Sequence, residues 1–276
     1  MAPSSFQTPV HVTHITTATA ILEVGGVTFI TDPVFGEAPA EYEITHLMPE
    51  GTQPMFAKFE DGPALKLQDL PIIDAVLLSH EDHIDNLDFE GRRLLDGRRV
   101  ITTPDGAKNL APRPGVAAIK PWETLTFPFH GSDWDITGVP CTHLPGGEVT
   151  GFILRTEAFG MSPDGLPNAV YFTGDTVLIP EHADISKRFH IVVAIMNLGD
   201  ARIPLPGLDE PLQITMGGKD AAELFRQLQA DILVPIHYES WHHFTQFGTR
   251  LRKVFEEEGI SDKICWLEPG QKKRVI

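Results

Sequence analysis

The chain has 276 residues, 42% hydrophobic and 22% charged, enough for a sizeable core in one α/β domain spanning 1–276. Acidic residues outnumber basic ones by 38 to 22, and the formal charge of −16 argues against nucleic acid or an anionic lipid surface as partner. Cys141 and Cys265 make no disulfide framework, no apolar run reaches the ~18 residues of a membrane span, and the start lacks the basic and apolar regions of a signal peptide, so a cytoplasmic protein is expected.

The first elements are strand-like. His14 lies in Thr13-His14-Ile15-Thr16-Thr17-Ala18-Thr19, either as a hydrogen-bonded structural imidazole or as one that looks onto a site. Ala20 to Val24, Gly25-Gly26 and Val27 to Thr31 read as strand, tight turn and strand. The second strand runs into Thr31-Asp32-Pro33-Val34-Phe35. Residues 36–70 carry four prolines and no clear period, which predicts a long irregular insertion, either a lid or pocket wall or a disordered surface loop.

The next strand is the most informative. Ala75-Val76-Leu77-Leu78-Ser79 is apolar and stops abruptly, and His80-Glu81-Asp82-His83-Ile84-Asp85 then supplies two histidines and three carboxylates. Such a run lies at the C-terminal edge of a sheet, where α/β proteins bind ligands. Imidazole plus carboxylate is a mixed N/O donor set suited to zinc, iron or manganese.

Helical spacing follows at 87–96, then short strands at about 98–102, 116–127 and 133–140, with turns at Pro104-Asp105-Gly106, Pro112-Arg113-Pro114 and Gly131-Ser132-Asp133. The second half places strands at about 150–156, 169–174, 191–196 and 231–236. Its helices follow Ala221, Leu224, Phe225 and Leu228, and then Phe244, Phe247, Leu251 and Phe255. Three of these strands also end in a candidate ligand: His143, the Asp175 of Gly174-Asp175, and His237. Taken singly, a strand-end His is a surface or hydrogen-bonded residue and a Gly-Asp is a turn; four together point to a metal centre. Cys141 is either close to that centre or an inert buried thiol. In Tyr238-Glu239-Ser240-Trp241-His242-His243-Phe244 the aromatics either line a pocket, with His242 or His243 donating a proton, or begin the last helix. Arg202 either pairs with an anionic substrate group or forms a surface salt bridge. The element order fits two sheets packed face to face with helices outside, or a simpler α/β layering.

The order His80-x-Asp82-His83, His143, Gly174-Asp175, His237 resembles the metallo-β-lactamase-fold hydrolase superfamily. The strand ending in Thr31-Asp32-Pro33 is similar to the branch containing ascorbate-6-phosphate lactonase and N-acyl phosphatidylethanolamine phospholipase D. The resemblance runs from about residue 10 to about residue 247. It implies an αββα sandwich of two mixed sheets with outer helices and metals at one edge. The family pattern is His-x-His-x-Asp-His. In the favoured register its first His falls on Leu78. His80, His143 and Asp175 then face one metal, and Asp82, His83, His237 and a bridging Asp175 face the other; Asp82 is also a catalytic candidate. That register leaves the first site one imidazole short and predicts unequal occupancy. In the other register His80 comes first, Asp82 replaces the second His, and Asp85 becomes a possible ligand.

The remaining assignments follow the same resemblance and the residues beside it. Asp32 would orient a metal-bound His, with a turn at Pro33 as the bland alternative. Asp85 would do the same, or cap the helix near Leu87. Phe35, Trp241 and Arg202 are substrate-contact candidates. The implied activity is hydrolysis of a small ester, lactone or phosphodiester by a metal-activated hydroxide, with one or two zinc ions, or manganese or iron. The rivals are a degenerate metal-binding or ligand-sensing member and a di-iron redox enzyme. A small-molecule substrate is the expected partner; oligomeric state is not legible.

Overall fold

The computed structural model describes residues 6–49, 52–205 and 207–276. Strands β1 (Val10–Thr16), β2 (Thr19–Val24) and β3 (Val27–Thr31) form an antiparallel meander. Its second turn uses Gly25 and Gly26 at φ of 57° and 80°, the left-handed region that glycine enters without a Cβ clash. Short strands β4 (Ala40–Glu43) and β5 (Phe56–Phe59) pair as a separate hairpin. Strands β6 (Ala75–Leu77), β7 (Arg99–Thr102) and β8 (Val116–Ala118) then run parallel to β3, crossing over through helices α1 (Phe89–Leu94) and α2 (Pro104–Asn109).

The second half builds the other sheet. Strands β9 (Thr124–Phe129), β10 (Ser132–Pro140), β11 (Thr150–Thr156) and β12 (Asn168–Phe172) are antiparallel neighbours. Strand β13 (His190–Asn197) is followed by the small pair β14 (Arg202–Ile203) and β15 (Leu212–Gln213). Helix α3 (Gly218–Leu228), strand β16 (Ile232–Ile236) and helix α4 (Gly248–Glu257) follow, and β17 (Lys273–Arg274) returns to pair with β1. The sheets have the orders β17-β1-β2-β3-β6-β7-β8 and β16-β13-β12-β11-β10-β9. Each is mixed, as expected.

Burial separates the layers. Phe29, Trp134, Phe152, Phe172, Val193 and Val234, drawn from both sheets, share one core. Met196, Ala221, Leu224 and Phe255 pack a second layer under α3 and α4. Val76, Leu78, Leu94 and Val100 pack a third under α1. Side-chain parity explains the division: on β13, Val193 and Ile195 face the other sheet while Ala194 and Met196 face the helices. The αββα sandwich is therefore the architecture, and the simpler layering falls away.

Several expectations are refined. The 36–70 segment contains the β4–β5 hairpin, which its composition hides because each strand is only four residues long; Glu50 and Gly51 lie outside the described residues. Pro104-Asp105-Gly106 is the first turn of α2, with Pro104 at the start and the Thr103 hydroxyl accepting from the Gly106 N–H at 3.0 Å. The 116–127 strand splits into β8 and β9 around Pro121. Among the described residues no helix is long and apolar enough to cross a membrane.

Trp134 spans the two sheets: its ring meets Phe29 of β3 edge-on at 5.3 Å and Phe159 at 5.4 Å. Trp134→Ala should cost about 3–5 kcal/mol in urea unfolding, because the facing sheets cannot close the void. A loss below ~1 kcal/mol would show that this ring is not part of the inter-sheet core.

Candidate metal centre

The ligand-bearing residues lie at or just beyond the C-terminal ends of strands β6, β10, β12 and β16, where the sheets meet at one edge. Two groups converge there. His80, His83 and His143 form one; Asp85, Asp175 and His237 form the other. Within each group one donor atom per residue lies within 4.8 Å of the others.

In the first group the hydrogen bonds assign the ring tautomers. The Ser79 hydroxyl donates to Asp32 Oδ2 at 2.7 Å, so its oxygen receives the His80 Nδ1–H at 2.9 Å. His143 donates its Nδ1–H to the Ile214 carbonyl at 2.6 Å. Each imidazole therefore turns an Nε2 lone pair inward. His83 presents Nδ1, 3.3 Å from His143 Nε2. Nitrogens about 2.0–2.1 Å from one tetrahedral zinc would lie about 3.3–3.4 Å apart, so this spacing fits a shared cation. Burial holds His80 well below the usual imidazole pKa and His143 down to about 4, and repulsion from neighbouring rings lowers both further. Both are neutral, as metal ligands must be.

The second group is anionic. Asp175 is buried, and its Oδ1 accepts from Asn197 Nδ2 at 2.7 Å. Oδ1 stands 3.6 Å from His237 Nδ1, and Oδ2 stands 3.9 Å from His143 Nε2, so one carboxylate faces both groups. Asp85 Oδ2 lies 3.7 Å from His237 Nε2 and 3.6 Å from His243 Nε2. Burial alone would raise the Asp85 carboxyl, but the facing His237 and His243 hold it well below the carboxylate range. Burial would lower His237, yet Asp175 and Asp85 outweigh it and push the ring up to about 9. His80 Nε2 and both nitrogens of His237 are buried without a hydrogen-bond partner. Buried polar atoms are rarely left so, at about 1–3 kcal/mol each; a bound cation would satisfy them. The donor set fits a metal.

The backbone is shaped to hold these groups. Gly174, at φ 60°, passes so close to β11 that a Cβ would fall 2.7 Å from the Thr150 carbonyl oxygen and 2.9 Å from Ser79 Cβ. Asp32, Thr17 and His237 are non-glycine residues at φ of 31°, 41° and 58°, strain of the kind that collects at functional sites. Thr17 ties them together. Its carbonyl accepts the His237 N–H at 3.0 Å and His14 Nε2–H at 3.0 Å, and its hydroxyl donates to the Asp85 carbonyl at 3.2 Å.

Some sequence-predicted residues fall elsewhere. Leu78 points into the apolar layer under α1, with the parity of Val76, so no imidazole is missing there. Asp82 is exposed and joins neither group; Asp85 takes the carboxylate position instead. The first group has three imidazoles and is not the short one. Glu81 pairs with Arg92 of α1 at 2.8 Å. The cap of α1 is Asp88, whose Oδ1 accepts from the Gly91 N–H at 2.6 Å, rather than Asp85. Asp32 reaches His80 only through Ser79, and burial raises its carboxyl to about 7. His14 braces Thr17.

The substrate candidates are displaced as well. Trp241 is buried and stacks on Phe59 at 4.8 Å, fixing the β4–β5 hairpin. His242 accepts the Lys58 N–H at 2.9 Å and is pinned to β5. Of that pair only His243 lines the central cavity. Phe35 packs in the layer containing Leu78. Arg202 is salt-bridged to Asp200 at 3.0 Å and does not line the cavity. Cys141 is an inert thiol whose pKa burial pushes up; it donates to the Thr173 carbonyl at 3.4 Å. Sequence reading missed Ser79, Thr17 and Asn197. Only Ser79, adjacent to His80 at a strand end, carried a local signal.

Residues 28–238 match the model of a family described as the β-lactamase superfamily domain. A protein named UPF0173 metal-dependent hydrolase from Enterococcus faecalis is 28% identical over 229 residues, covering 80% of this chain and 91% of its own length. Among solved structures, an isothiocyanate hydrolase from Delia radicum gut bacteria superposes with a TM-score of 0.74 at 22% identity, covering 95% of this chain and 98% of that one. CmlA, a diiron β-hydroxylase from Streptomyces venezuelae, superposes with a TM-score of 0.64 at 16% identity, covering 99% of this chain and 54% of that one. At these identities the two structures share the fold.

The observed donor groups leave out Asp82, a ligand in both sequence registers, and so predict different mutants. Ser79→Ala removes the partner that fixes His80 and should weaken zinc binding by about 10–100-fold in a competition titration, whereas Asp82→Ala should leave it unchanged. Leu78→His should destabilise the fold by about 2–5 kcal/mol without adding metal per chain, because it buries an imidazole in an apolar layer. A gain of one metal equivalent in Leu78→His would restore the register that puts the first His of the family pattern at Leu78.

Proposed function

The chain belongs to the β-lactamase superfamily domain family, and from that premise we propose that it is a metal-dependent hydrolase acting on a small substrate such as an ester, lactone or phosphodiester. The observation that carries this reading is the pair of donor groups joined by Asp175. His80, His83 and His143 would hold one cation, and Asp85, Asp175 and His237 the other. Zinc suits the three-imidazole group best, with iron or manganese compatible with the carboxylate-rich one. When bound, such metals lower the pKa of coordinated water to near ~7 and polarise the oxygen under attack.

The chain's own residues do the rest. Ser79 and Ile214 fix two rings so that their lone pairs face inward. Asp175 keeps the two groups in register. His243 stands at the cavity wall, 3.6 Å from Asp85, where its Nε2–H can reach a departing oxygen or nitrogen. The apolar side chains Ile44, Leu144 and Ile203 around the cavity keep bulk water away from the reacting bond.

The reading is supported by the named relative, a metal-dependent hydrolase. A second reading, di-iron oxygen chemistry, draws on the same donor set and on the shared fold of the β-hydroxylase. Metal removal separates them. Chelated protein should lose hydrolysis of small esters and lactones, and zinc alone should restore it in air or under nitrogen. Zinc at 100–1,000 times its Kd should also stabilise the fold by about 2.7–4.1 kcal/mol. Asp175→Ala should abolish both effects, and Cys141→Ala neither. Hydrolysis that survives chelation would overturn the proposal; activity restored only by iron and dioxygen would favour the second reading.

A further inference from the structure

The cavity above the two groups has walls of opposite character to its floor. Ile44, Leu47, Met48 and Ala57, all from the 36–70 insertion, form one wall, and Ile203 and Ile214 face them. Ile44, Leu47 and Met48 are only half-buried, so apolar surface stands uncovered directly over the donor groups. Among the described residues lining the cavity there is no Lys or Arg. Arg202 pairs with Asp200, and Lys58 with Glu41. The floor contributes the carboxylates Asp85 and Asp175 and the imidazoles His83, His143 and His237. A substrate group that reaches past this floor would therefore meet apolar side chains, with no Lys or Arg there to pair an anion.

The insertion wall is anchored rather than free. Phe59 bridges to Trp241 in antiparallel fashion, the Glu60 N–H donates to the Ser240 carbonyl at 2.8 Å, and the His242 N–H donates to the Lys58 carbonyl at 3.2 Å. The segment that follows His237 thus stitches the wall over the donor groups. The space there is about 40 Å³ and partly open to solvent, room for roughly two or three waters, so a short group fits and a long one must reach outwards.

We propose that the substrate bears a short, uncharged apolar substituent, and that Ile44, Leu47 and Met48 of the insertion, with Ile203 and Ile214, bind that substituent. This deepens the hydrolase reading, on which it rests, by naming the substituent rather than the group that reacts. Recognition is by burial of methylenes, each worth about a fourfold gain in affinity when fully covered.

The test separates binding from chemistry. Full-length protein, metal-free and zinc-loaded, is titrated with n-alkyl carboxamides from acetamide to hexanamide and with adipamate, the six-carbon amide whose far end is a carboxylate. The readout is the NMR signals of labelled Ile and Met methyl groups. Amide affinity should rise about two- to fourfold per methylene and then level off, with shifts at Ile44, Met48, Ile203 and Ile214. Leu47→Ala should flatten the rise while the melting temperature stays within a few degrees of wild type. Adipamate should bind more weakly than hexanamide. A flat chain-length dependence, or tighter binding of adipamate than of hexanamide, would overturn the inference. p-Nitrophenyl esters of the same acyl chains, assayed in parallel, report on the reaction. If the amide series behaves as stated and no ester turns over, the pocket assignment stands and the hydrolase reading falls.

Discussion

Everything at this sheet edge depends on one buried carboxylate. Asp175 is fully out of solvent, yet it faces His143 on one side and His237 on the other. A buried charge is costly unless paired and hydrogen-bonded. The chain meets that cost with Asn197 from the end of β13, and with a glycine at φ 60° that lets the backbone pass against β11. The neutral imidazole trio and the charged triad are thus held a fixed distance apart by a residue belonging to neither sheet's core. Asp85 and Asp175 face the His237 ring from two sides and push its pKa up to about 9.

The layers of the fold were legible because strand parity and helical period report burial directly. On β6 the alternation places each apolar residue on the correct face, and on β13 it does so from Val193 to Met196. The four strand ends that meet at the site were legible for the same reason. The register inside His80-Glu81-Asp82-His83-Ile84-Asp85 was not. Beyond Leu77 the chain leaves the strand, and no period fixes which side chains turn inward. Family spacing then favoured Asp82, which is exposed. The decisive facts are tertiary: Leu78 belongs to the layer under α1, and Glu81 is drawn outward by Arg92.

The polar supports were hidden for a different reason. Ser79, Thr17 and Asn197 act through hydrogen bonds that reach from the next residue to distant parts of the sequence, with nothing in composition to mark them. The aromatic run after His237 was visible but ambiguous. Trp241 and His242 serve the insertion hairpin, and only His243 turns to the cavity. One short segment thereby couples the wall of the pocket to a donor residue, which explains why it is rich in both rings and imidazoles.

The central claim is that two cation positions exist and share Asp175. Anomalous diffraction at the zinc edge, from crystals grown with added zinc, tests it most directly. The account predicts two peaks, one among His80, His83 and His143 and one among Asp85, Asp175 and His237. A single peak, or a peak against Asp82 in place of Asp85, would contradict it.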